Sequence, residues 1–118
     1  IDRVNILQST YLAMKKAITG ARTRANRYLI DGNKKLPNFS LKQISIPHGD
    51  AKVFSIALAS IIAKVTRDRL MEEYGREYPG YGFSQHKGYG TKQHLQMIKI
   101  KGVCPIHRRS FAPVKKMV

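Results

Sequence analysis

Residues 28–64 read YLIDGNKKLPNFSLKQISIPHGDAKVFSIALASIIAK, and this stretch decides the fold. Tyr28-Leu29-Ile30 is an apolar run closed by Asp31 and followed by Gly32-Asn33. That order describes a strand leaving a sheet core and turning at its carboxyl end. Ile44 and Ile46 alternate with Gln43 and Ser45, which places a second strand near residues 42–46. One long helix is expected from residue 52 to about 76. Its first half is almost wholly apolar and rich in small residues (Ala57, Ala59, Ser60, Ala63), so burial on most sides is expected. Its second half turns charged, with Lys64 and Asp68, then Arg69 and Glu73, spaced as i,i+4 pairs.

The same stretch carries two aspartates at element ends, Asp31 after the first strand and Asp50 just before the long helix. Each has an ordinary explanation taken singly. Asp31-Gly32-Asn33 suits a turn, where short polar side chains bond nearby backbone. Asp50 suits the N-cap of the helix. Together they suggest more, because ligands of open α/β sheets gather at the carboxyl ends of strands. Carboxylates that face phosphates need a divalent cation between them, as in metal-assisted phosphodiester chemistry.

The charge balance supports such a substrate. Against 22 lysines and arginines stand seven acids, a formal charge of +15 in 118 residues. A balance of that size governs association rather than fold, and nucleic acid is the expected partner. An anionic membrane surface is the weaker alternative, since no lipidation signal or basic amphipathic anchor stands out. The longest apolar stretch, residues 53–63, is too short to span a bilayer. The length allows one domain or part of one. The single Cys104 cannot form an internal disulfide and fits a reducing, cytoplasmic setting. The chain opens on Ile1 rather than Met, so an upstream segment is expected.

Outward from the central stretch, Val4, Leu7, Tyr11, Met14 and Ile18 form one stripe of an amphipathic helix over residues 2–19. Asp2 is its expected N-cap and Gly20 its expected stop. Residues 21–27 hold three arginines and read as an exposed basic connection. Tyr78-Pro79-Gly80 ends the long helix, and YGFSQHKGYG (residues 81–90) reads as a loop rich in glycine and aromatics. Tyr89 beside His86 and Lys87 could stack on a sugar or base and touch phosphate, or could simply be half-buried in a solvated loop. A helix is expected over residues 91–101, capped by Thr91, with Leu95 and Ile98 inward and Gly102 as its end. After Glu77 there is no acid, while eight lysines and arginines and three of the four histidines follow. This marks a basic helical extension from about residue 78. Arg108 and Arg109 there read as a backbone-phosphate patch or a solvated charged turn. His86, His94, His107 and Cys104 lack zinc-ligand spacing, and nothing in sequence pairs Cys104 with a base.

As an ordered set, IDRVNILQSTYLAMKKA, LIDGN, GDAK, SIALASIIAKVTRDRLM, YPGYGFSQHKGY and CPIHRRSFAPV resemble the C-terminal portion of type 2 ribonucleases H, the bacterial ribonuclease HII family. The resemblance covers essentially all of residues 1–118. It implies a ribonuclease H-like α/β fold with a mixed central sheet, present here in part as two strands plus helices. It also implies cleavage of RNA in RNA–DNA hybrids, and 5′ of ribonucleotides embedded in duplex DNA, with Mg²⁺ or Mn²⁺. Asp31 and Asp50 fall on two of the family's four metal-binding acids. Tyr89 falls on the tyrosine that meets the 2′-OH at the RNA–DNA junction. His86, Lys87, Arg108 and Arg109 are further expected substrate contacts on their own basic chemistry, beside that resemblance. His48 stands where the family often has lysine. The other two acids lie in a DEAGRG-type motif that does not occur in these residues. The chain is therefore expected to be inactive alone, to self-associate or to pair with the segment carrying that motif, whereas the full-length protein is expected to be monomeric. The competing expectation is a non-catalytic basic nucleic-acid-binding module, such as a small ribosomal protein, with Asp31 and Asp50 pointing apart.

Overall fold

β1 (Tyr28–Asp31) and β2 (Gln43–Ile46) lie side by side in parallel, with Tyr28 opposite Gln43 and Asp31 opposite Ile46. Both strands fall where the apolar alternation puts them. The computed structural model describes residues 1–117. Parallel neighbours ordinarily need a long crossover, yet here the connection is short and carries no helix. It is folded around buried Leu36 instead, 2% exposed. The Gln43 side chain accepts the Leu36 N–H at 2.7 Å and donates to the Leu36 and Phe39 carbonyls at 3.0 and 3.2 Å. Phe39 meets Tyr28 edge-on. One amide thus replaces the backbone ladder that a helix would have supplied.

The chain divides into two compact units, the first of residues 1 and 3–62 and the second of residue 2 with residues 63 onward, so the boundary falls inside a helix between Ile62 and Ala63. This lies earlier than the change in composition near residue 78. The first unit opens with α1 (Asn5–Gly20), whose Tyr11, Met14 and Ile18 are half-buried. Asp2 does not cap this helix. Asn5, at φ 64°, accepts the Gln8 N–H on its side chain at 3.1 Å and so does the capping itself. Asp2 instead accepts the backbone N–H groups of Arg109 and Ser110, each at 3.0 Å, and the Ser110 hydroxyl. These bonds hold its carboxyl below the usual range.

The single helix expected from residue 52 is two helices. α2 (Gly49–Lys52) is one turn, Val53 is extended at φ −130°, and α3 (Phe54–Glu77) follows. Burial of the first half of α3 is also not realised. Only Ile56 is buried, while Phe54, Leu58, Ile61 and Ile62 are 83, 46, 59 and 58% exposed. Apolar side chains mark where burial is possible, but two strands offer too little surface to cover every face of a helix.

The second unit packs around Tyr81, Phe83, Ile98, Cys104 and Val114, with Met71, Tyr74 and Ile106 against them. The segment expected as a loop contains α4 (Phe83–His86), one turn that drives Phe83 into the centre. α5 (Lys92–Lys101) follows the expected rules: the Thr91 side chain accepts the His94 N–H at 3.2 Å, and Gly102 at φ 77° ends the helix. No helix among the described residues is long and apolar enough to cross a membrane.

Candidate active site

Asp31 is the last residue of β1, and its side chain does not make a local turn. Oδ1 accepts the N–H of Gly49, eighteen residues on, at 2.8 Å. Since Gly49 directly precedes Asp50, this bond draws the two acids to the same strand end. Gly49 is needed for the approach. A Cβ there would lie 2.6 Å from Ile56 Cδ1 and 3.3 Å from Asp31 Oδ1. The preceding His48 takes the left-handed conformation at φ 53°, and turns the chain from β2 into α2. Asp50 is not the cap of the long helix, since it lies inside α2 and its Oδ1 accepts the N–H of Ala51 at 3.0 Å.

Both aspartates are exposed, and Oδ1 of each accepts the backbone N–H named above. Hard carboxylate oxygens at a solvent-facing edge suit a cation such as Mg²⁺, which keeps several waters and binds through one or two carboxylates. No group of three or more metal-ligating side chains occurs among the described residues. A groove of about 330 Å³ runs from Leu7, Tyr11 and Met14 of α1 to Asp31, Gly32 and Lys34, so Asp31 borders open space.

In the second unit Tyr89 is 63% exposed, with the Arg67 guanidinium 5.1 Å from its ring centre. Its backbone is held tightly. Tyr89 N–H donates to the His86 carbonyl at 2.9 Å, and its own carbonyl accepts from Thr91 N–H at 2.8 Å and His94 Nδ1 at 2.9 Å. Arg67 also donates to the Lys87 carbonyl at 2.7 Å.

The expected substrate contacts separate into two kinds. Arg108 and Arg109 are exposed, and Arg108 lines a cavity of about 380 Å³ together with Arg67, Tyr89 and Phe111. His86 is only 9% exposed; its Nδ1 accepts the Gly88 N–H at 3.2 Å and its Nε2 meets the Tyr81 carbonyl at 2.7 Å. With both ring nitrogens engaged internally it supports the loop rather than presenting a free edge. Lys87 pairs with Glu72 at 2.6 Å, which lowers the Glu72 carboxyl pKa through that bond and charge. Asp68 lies 3.8 Å from Arg67 rather than pairing with Lys64. Burial raises the pKa of the Cys104 thiol, whose sulfur lies 3.0 Å from His107 Nδ1.

Sequence reasoning passed over Arg67 and the pair His94–His107, whose Nε2 atoms lie 3.1 Å apart. Arg67 carries no signal beyond a charged helix face. The histidines are thirteen residues apart, and only the turn at residues 104–107 brings them together.

Residues 1–114 match the family model described as Ribonuclease HII. The chain is 52% identical over 118 residues to the ribonuclease HII of Endomicrobium trichonymphae, covering all of this chain and 56% of that protein. It is 56% identical over 115 residues to that of Syntrophobacter fumaroxidans, covering 98% of this chain and 49% of the relative. With that of Bacillus mycoides it shares 55% over 118 residues, all of this chain and 45% of the other. The chain spans about half the length of the curated relatives it matches.

Proposed function

Because the chain belongs to the ribonuclease HII family, we propose that it carries part of the active site of an endoribonuclease. The substrate class is an RNA–DNA hybrid or duplex DNA containing a ribonucleotide, cut on the 5′ side of the ribonucleotide. The observation that carries this reading is the 2.8 Å bond from Gly49 N–H to Asp31 Oδ1, which draws Asp31 and Asp50 to one edge. Mg²⁺ or Mn²⁺ bound there would polarise the scissile phosphate and make water a better nucleophile. Asp31 and Asp50 would each hold it with a carboxylate oxygen, and the remaining ligands would come from acids outside these 118 residues. Tyr89 would read the ribose 2′-OH, the group that separates RNA from DNA. Arg108, Arg109 and the lysines of the tail would hold phosphates, with an affinity that falls as salt rises. The setting proposed is the cytoplasm. The chain alone is proposed to be inactive.

The test is cleavage of a duplex holding one ribonucleotide, by this chain alone and by a fusion that adds the remaining half of the Endomicrobium trichonymphae relative. The fusion should cut 5′ of the ribonucleotide, and D31N/D50N should abolish cutting while leaving binding intact or stronger. A strong cationic balance by itself also suits a binding module without chemistry. Binding lost in D31N/D50N, with the fusion inert throughout, would favour that reading.

A further inference from the structure

The exposed Tyr89 ring has few neighbours to aim it, so its direction depends on the backbone beneath. That backbone rests on imidazoles joined by short hydrogen bonds. His107 Nδ1 lies 2.9 Å from the Cys104 amide nitrogen, 3.0 Å from the Cys104 sulfur and 3.3 Å from the Cys104 carbonyl; accepting the Cys104 N–H there, it carries its proton on Nε2. From there it is donated to His94 Nε2 at 3.1 Å. The His94 proton is then on Nδ1, where it is donated to the Tyr89 carbonyl at 2.9 Å. The Tyr89 carbonyl can only accept, so its 2.9 Å contact places the His94 proton on Nδ1 and leaves Nε2 to accept from His107. The rings have little freedom to turn. His94 is 6% exposed, stacks on His86 at 4.3 Å between centres, and meets the buried Phe83 edge-on at 5.3 Å. His86 in turn accepts the Gly88 N–H, so residues 88 and 89 are both held by buried histidines.

We propose that His94 is a positioning residue for Tyr89, and that the hydrogen bond from its Nδ1 to the Tyr89 carbonyl sets how well ribose is told from deoxyribose. This rests on the reading of Tyr89 as the residue that meets the 2′-OH. Burial pushes the pKa of both His94 and His107 down, in keeping with bonds that need neutral rings.

The full chain would be compared as wild type, H94N, H94Q and Y89F. An asparagine amide nitrogen replaces Nδ1 and can still donate to the Tyr89 carbonyl, whereas a glutamine amide replaces Nε2 and cannot. The readouts are amide exchange at Tyr89 by NMR, and the ratio of affinities for a duplex with one ribonucleotide and for the all-DNA duplex. H94N should keep both near wild type. H94Q should speed Tyr89 exchange and cut the ratio by about five- to tenfold, the effect of one hydrogen bond. Equal behaviour of H94N and H94Q, in either direction, overturns the positioning role. If the wild type shows no preference, or Y89F keeps it, the reading of Tyr89 fails and takes the specificity claim with it. The exchange data then still show whether His94 holds the loop.

Discussion

Replacing Gly49 with alanine tests the close approach on which the acid pair depends. The added Cβ would sit 2.6 Å from Ile56 Cδ1 and 3.3 Å from Asp31 Oδ1. Ile56 is 6% exposed, so its methyl has little room to swing aside. Crowding of this kind costs about 1–3 kcal/mol. Alanine favours helix over glycine by up to about 1 kcal/mol, but at the first residue of a one-turn helix less of that is gained. The net expectation is a loss of roughly 1–2 kcal/mol. It should come with a longer Gly49–Asp31 contact and weaker retention of a divalent ion. Removing Cδ1 with Ile56→Val relieves the clash and alone costs about 0.5–1.5 kcal/mol. Urea unfolding of wild type, G49A, I56V and the double variant closes the cycle. The double variant should lose less than the sum of the singles, with a coupling of about 1 kcal/mol. Additive losses would refute contact with Ile56 as the reason for glycine at this position.

Three further outcomes follow from the same geometry. Asp31→Asn keeps an oxygen for the Gly49 N–H, so it should preserve stability in thermal melts yet weaken Mn²⁺ binding by calorimetry. Asp31→Ala strands a buried glycine amide and should cost about 1–3 kcal/mol. His94 and His107 have folded pKa values below the ordinary 6.5. Their contribution to stability is therefore complete above pH 6.5 and lost as pH falls through the folded values. Arg67 and Arg108 on the same cavity wall, with His86, Tyr81 and the Cys104 thiol around the rings, supply no carboxylate to offset that. Melts between pH 7.5 and pH 5 should show the second unit weakening, and a double H94N/H107N variant should flatten the trend. Arg108→Ala with Arg109→Ala should reduce the salt slope of duplex binding by about 1–2 in log–log terms, measured by anisotropy.

Much of the frame was legible because its signals are local. Alternation at Ile44 and Ile46 places β2, and Thr91 and Gly102 bracket α5 through their own side chain and backbone. The place of Asp31 at the end of β1 was legible too, whereas Asp50, expected as the cap of one long helix, lies inside α2. What escaped depends on residues far apart in the chain. Nothing near Val53 announces the break between α2 and α3, as neither proline nor glycine stands there. Asp2 has the right chemistry for a cap, but two tail amides bind it better, and Asn5 caps in its place. His86 looks like a surface ligand in sequence, yet one turn at Phe83 carries it inward. The apolar run of α3 shows which side chains could be buried, and cannot show how much surface is there to cover them.

If Asp31 and Asp50 hold one divalent ion together, as proposed, Mn²⁺ titration of the ¹⁵N-labelled chain reads it directly. Paramagnetic broadening should appear first at Gly32, Gly49, Asp50 and Ala51, and should vanish in D31N and in D50N alike. Broadening that survives either change, or that begins elsewhere in the chain, would contradict a shared site.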